Sequence, residues 1–212
     1  MSTDEVAAAV PRLTRKGRAT RDRIALAASN LMFERGVAAT SIEDVQAAAG
    51  VNPSQVYYYF KDKRDLVRAV IAVQTEQVLG AFGSVEPRYG RLDSMEALRA
   101  WRDFAVGLEQ SLDCVGGCPI GTMGSQLAET DAEARQEVAE GFARWEQAIC
   151  AGLRAMRERG ELRADADPDR LGLALLATLQ GGLLLTQIRR DTTALEVGLD
   201  VMLDHIEAHL AH

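Results

Sequence analysis

GVNPSQVYYYFKDKRDLV, residues 50–67, sets three tyrosines and a phenylalanine side by side next to a cluster of charges. Successive residues of a helix or strand cannot all face one core, so some of Tyr57, Tyr58 and Tyr59 must serve another surface. Asn52, Pro53 and Gln55 supply an N-cap, a first-turn proline and a glutamine at N3, which predicts a helix beginning at Pro53. Upstream, Ser41 and Asp44 in SIED form a capping-box variant that opens a helix closed at Gly50. Downstream, Asp62 and Asp65 repeat the box for a third start. Two short helices joined through AGVN fit a helix-turn-helix, the glycine letting the chain reverse. Within the second, Val56 and Phe60 lie four residues apart and pack inward, which spreads the tyrosines over the other faces.

Working outward, the rest of the chain also reads as helix. At 212 residues it is rich in Ala and Leu and carries only 5 Pro, a composition that favours an all-α fold. A first helix is expected from about Thr20 to Arg35, with Ile24, Ala28, Leu31 and Met32 on one face and Gly36 as its stop. A long helix from about Lys63 to Phe82 connects head to body. After the loop GSVEPRYGR, Asp93 and Glu96 are expected to cap a helix carrying Leu98, Trp101, Ala105, Leu108 and Leu112. A break at DCVGGCPIG leads to a short helix ending near Glu129, and Thr130 with Glu133 boxes the next, from Asp131 to Arg159. Asp167 and Pro168 start an apolar helix to Arg190, and Thr193 with Glu196 starts the last. The run LGLALLATLQGGLLLTQI is interrupted by Thr178, Gln180, Thr186 and Gln187, so it reads as a helix buried on nearly all sides and not as a membrane span.

The formal charge of −7 argues against indiscriminate nucleic-acid binding, but it is unevenly spread. Residues 1–70 hold 11 Lys/Arg against 8 Asp/Glu, a net of +3, whereas the remainder holds 13 against 23, a net of −10. A basic head on an acidic body suits one end to a polyanion. Three cysteines and an acidic start, MSTDEVAAAV, indicate neither a disulfide framework nor a secretory signal, and a reducing cytoplasm is expected. No cofactor is implied. Cys114 and Cys118 without a nearby histidine make poor zinc spacing, and no metal site is expected.

Residues 20–67 resemble the amino-terminal domain of the TetR family of transcriptional regulators. The match runs in register through Thr20, Arg21, Ile24, Ala27, Ala28, Leu31 and Gly36, then Ser41, Val45, Ala49, Gly50 and Val51, and ends in Tyr57, Phe60, Lys63 and Leu66. Gln46, in place of a customary alanine, and the pair Met32 and Phe33 depart from the pattern at packing positions. Residues 1–18 lack periodicity and carry Pro11, Gly17 and four basic residues, which reads as a flexible basic arm; the resemblance implies a three-helix DNA-binding domain over 19–66 and a helical effector-binding and dimerisation domain over 67–212. Arg21, Ser41, Asn52, Pro53, Ser54, Gln55, Tyr57, Tyr59 and Lys63 become candidate contacts to double-stranded DNA, with Tyr57 and Lys63 on phosphates and Gln55 suited to adenine. For Tyr58 both a DNA contact and packing beside the first helix stay open.

The same resemblance implies a homodimer through the last two helices, a palindromic operator, and a small-molecule effector that releases a repressor from it. Gln74, Trp101, Phe104, Met123, Gln126, Phe142, Trp145 and Gln180 are the candidate cavity residues, aromatic and Met with a few amides. Cys118 precedes Pro119 at a helix start, where the dipole would lower a thiol pKa, so a thiol-based redox or electrophile sensor is an alternative, as is a buried structural cysteine. A small thiol-dependent helical enzyme is a further alternative, without a base nearby in sequence.

Overall fold

The computed structural model describes residues 13–83 and 91–211. Residues 1–12 of the expected arm, most of the loop over 83–91, and His212 lie outside them. Among the described residues the elements are α1 (Arg15–Arg35), α2 (Ile42–Ala49), α3 (Pro53–Tyr59), α4 (Lys63–Gly83), α5 (Met95–Ser111), α6 (Pro119–Leu127), α7 (Ala132–Glu158), α8 (Pro168–Arg189) and α9 (Thr193–Glu207). The all-α expectation holds.

The starts follow local chemistry. The Ser41 and Asn52 capping boxes are both formed. At α4, the Asp65 N–H donates to Asp62 Oδ1 at 2.9 Å, and the Asp65 carboxylate accepts from the Lys61 N–H at 3.0 Å. Three starts differ from expectation. Helix α1 begins at Arg15 and not near Thr20, because Thr14 Oγ1 accepts the Gly17 N–H at 3.1 Å. Arg15–Arg18 are therefore helix, and the arm ends sooner than residue 18. Ser94, not Asp93, caps α5, and Asp131, not Thr130, caps α7; each side chain accepts the N–H three residues on.

Ile24, Ala28 and Met32 of α1, Val45 and Ala49 of α2, Val56 and Phe60 around α3, and Leu66 and Val70 of α4 belong to one buried cluster that continues into the body. There α7 and α8 pack together, α9 covers another flank of α8, and α5 rests on α9. Helix α8 is not buried on nearly all sides: 44% of its most apolar window is covered. Packing against α7 and α9 leaves one side open, on which Leu173, Leu184 and Ile188 stand exposed, and Val197 and Val201 extend the apolar surface onto α9. By length and composition α8 would also cross a bilayer, but its other flanks are core.

Candidate nucleic-acid interface and internal cavities

The helix-turn-helix is built from short-range bonds. Gly50 takes the left-handed conformation, φ +61°, and its N–H returns to carbonyls of α2 while the chain turns toward α3. Asn52 Oδ1 accepts the Gln55 N–H at 2.9 Å, and Gln55 Oε1 accepts the Asn52 N–H at 3.1 Å. A helix of seven residues is too short to persist alone, so these caps and the buried pair Val56 and Phe60 hold it. Arg21 of α1 stacks its guanidinium over the Phe60 ring, 5.0 Å from the centroid, and so braces the far end of α3.

Asn52, Pro53, Ser54, Gln55, Tyr57 and Tyr58 are all exposed along the outer side of α3. Tyr57 and Tyr58 are 56% and 70% exposed, whereas Tyr59 is half-buried against the core, so Tyr59 rather than Tyr58 is the packed tyrosine. The two rings meet edge-on, 4.9 Å between centroids. A cleft of about 270 Å³ separates Gln55, Tyr58 and Tyr59 from Thr14, Lys16 and Thr20 at the start of α1.

Besides Asn52 and Arg21, three other candidate DNA contacts already have partners. The Ser41 hydroxyl donates to Asp44 at 2.6 Å, and with the Ser41 N–H it holds that carboxyl below its ordinary pKa. The Lys63 ammonium reaches the Ala38 carbonyl at 3.5 Å and keeps its other N–H groups. Gln55 spends its oxygen on the cap and keeps its NH₂.

In the body two cavities flank Cys118 and Leu183, which line both. The larger, about 480 Å³, lies between α6 and α8 and is faced by Thr122, Phe142, Gln180 and Gln187. The smaller, about 220 Å³, is walled by Phe33 of α1, Gln77 of α4, Glu109 of α5, Trp145 of α7 and Leu179 of α8. Of the candidate effector residues, Cys118, Phe142, Trp145 and Gln180 line these cavities. Gln74, Trp101, Phe104 and Met123 line neither; Gln74, Trp101 and Met123 are core. Gln126 also lines neither: its side chain leaves the body and accepts the Val37 N–H at 2.8 Å, in the turn between α1 and α2.

Glu109 goes unflagged by composition because a single carboxylate in α5 reads as surface. It falls, however, on the stripe of Leu98, Trp101 and Ala105 at helical spacing, and it is 3% exposed. Its Oε2 has no hydrogen-bond partner among the described residues, and burial raises its pKa above the ordinary 4.5. Cys118 does cap α6, its sulfur accepting the Gly121 N–H at 3.4 Å. Burial nonetheless pushes the thiol up, and the Glu109 charge adds to this, so the expected lowering by the helix terminus is outweighed. Cys114 and Cys118 are free and buried.

A further contact joins the head to the body, and others tie the body's own elements together. The Phe33 ring lies against Gly116, where a methyl group would collide with it and where φ is +104°. The Arg190 guanidinium donates to the Cys114 carbonyl at 2.7 Å and ties the same loop to the end of α8. Arg68 on α4 pairs with Glu133 on α7 at 2.7 Å, and Glu76 with Arg144 at 2.8 Å; these pairs are open to water and hold weakly.

Residues 24–70 match the family described as bacterial regulatory proteins, tetR family, and residues 94–202 match the tetracyclin repressor-like C-terminal domain. An uncharacterized HTH-type transcriptional regulator of Mycobacterium tuberculosis is 33% identical over 188 residues, 84% of this chain and 89% of that protein. The HTH-type transcriptional repressor DhaR of Mycobacterium sp. (strain GP1) is 24% identical over 176 residues, 83% of this chain and 86% of that one. Among solved structures, a TetR transcriptional regulator from Chloroflexus aurantiacus J-10-FL superposes with a TM-score of 0.75 at 26% identity, covering 93% of this chain and 98% of that one.

Proposed function

From the premise that this chain belongs to the TetR family, and is a DNA-binding transcriptional regulator of the repressor type, we propose that a small molecule bound beside Cys118 releases it from a palindromic operator. Residues 19–66 are then the DNA-binding unit and 67–212 the effector and dimerisation unit. Two copies pair through the open sides of α8 and α9, where Leu184, Ile188, Val197 and Val201 otherwise face water. Pairing sets two α3 helices about 34–36 Å apart, one turn of duplex. Such a regulator works where bacterial DNA is, in the cytoplasm.

The observation that carries this reading is that the smaller cavity is walled by head and body together. Phe33 of the head lines it together with Gln77, Glu109, Trp145 and Leu179 of the body. A ligand that fills it presses on α1 directly, and one that moves α6 also moves Gln126, which holds the Val37 N–H. A change of occupancy in the body thereby becomes a change in the angle of the head. The ligand needs to favour the released arrangement by only a few kcal/mol, since about 5.5 kcal/mol turns a 1:99 population into 99:1.

Tyr57, Ser54 and Lys63 hold phosphates in this scheme, and Gln55 reads a base edge. The test is fluorescence anisotropy on duplexes selected from a random pool, repeated over a salt series. We expect a palindromic consensus and affinity that falls steeply with salt, because Lys and Arg displace counterions. Binding that is insensitive to sequence would overturn the proposal.

A further inference from the structure

We propose that the smaller cavity selects a monovalent organic cation with an apolar, branched or aromatic body, its positive charge meeting Glu109. This deepens the effector reading above and rests on it. The pocket of about 220 Å³ is mostly apolar, with Phe33, Trp145, Leu179 and Leu183 among its walls. Glu109 faces it at 3% exposure, and its Oε2 has no hydrogen-bond partner among the described residues. Among the described residues no Lys, Arg or His lines the pocket, so none of them balances a negative charge there.

A buried carboxyl kept only for structure finds donors for its oxygens, because an orphaned one is costly. Here that cost stands uncompensated, and a bound ammonium would offset it. The carboxyl accepts from or pairs with the cation, while the Phe33 and Trp145 rings meet its alkyl groups and share its charge. An anionic ligand would meet Glu109 and a thiol that burial keeps protonated. A neutral apolar ligand would fill the space yet leave Oε2 without a partner. Both alternatives are disfavoured by the same atom.

The probe pair is phenyltrimethylammonium and tert-butylbenzene, which have one shape and differ in charge. Isothermal calorimetry on the full-length dimer should give tighter binding of the cation by roughly tenfold or more, as for a buried charge given its partner. Glu109→Gln should shrink that ratio to near unity while tert-butylbenzene still binds. Equal or tighter binding of tert-butylbenzene to the wild-type protein overturns the proposal without any variant being needed, and so does a cation preference that survives in Glu109→Gln. Anisotropy on the selected duplex separates the two readings. Cation binding with no loss of DNA supports the site and sinks the effector mechanism; release of DNA by tert-butylbenzene alone supports the mechanism and sinks the cation.

Discussion

Gln55→Glu should move stability and DNA recognition in opposite directions. The side-chain oxygen of Gln55 accepts the Asn52 N–H at 3.1 Å, and a glutamate carboxylate accepts it equally well. The added negative charge lies in the first turn of α3, where it is worth about 0.3–1 kcal/mol. For a chain of this size that raises the melting temperature by about 1–4 °C. Reading adenine requires the amide to accept and donate at once, so Gln55 must release the cap when it binds, at about 0.5–1.5 kcal/mol. Glutamate cannot donate, and it brings a charge toward phosphates. Loss of the bidentate contact costs about 1–3 kcal/mol, roughly 5- to 150-fold in affinity. Thermal unfolding gives the first quantity, and anisotropy on the selected duplex and its single-base variants gives the second. Gln55→Ala should lower both. If Gln55→Glu keeps the wild-type ranking of every single-base variant, Gln55 does not read a base, and the assignment is wrong.

Gln126→Leu removes the 2.8 Å bond to the Val37 N–H, so amide exchange at Val37 should quicken by about 2- to 12-fold, and Gln126→Glu should restore it. Unchanged exchange would show that the turn is held by other contacts. The double variant Leu184→Asp and Ile188→Asp should sediment as a monomer and bind a half-site only weakly; a persistent dimer would move the interface elsewhere. Glu109 is favoured in its neutral form, so the stability it contributes is full below its ordinary 4.5 and is lost as pH rises through the raised value. Urea midpoints of wild type and Glu109→Gln should therefore diverge in favour of the variant as pH rises above the ordinary 4.5, and parallel curves would refute this.

What the sequence made legible is what local chemistry decides. Ser41 with Asp44 and Asn52 with Gln55 are three residues apart, so their boxes can be read from neighbours, and Val56 with Phe60 follows from helical spacing. The start of α1 is hidden because RKGRA has no apolar period, although Thr14 suffices to cap it. Gln126 and Val37 meet across 89 residues, and no local pattern announces such a bond. Phe33, which departs from the family pattern, finds its partner in Gly116, in a loop where Asp113 and Cys114 also take positive φ. Trp101 and Met123 carry the chemistry of a ligand site, but chemistry does not distinguish a cavity wall from a filled core. The same ambiguity conceals Glu109, whose significance comes from what surrounds it.

The open side of α8 carries a consequence for how this protein persists in a cell. In the proposed dimer Leu184, at 56% exposure, and Ile188, at 68%, gain their cover from a second copy, so folding and association there draw on one free energy. Its melting temperature should then rise with protein concentration, by mass action. A repressor present in few copies sits nearer the threshold at which its own fold fails. In that dimer, abundance becomes a second input to the proposed release from DNA, acting through stability and needing no ligand.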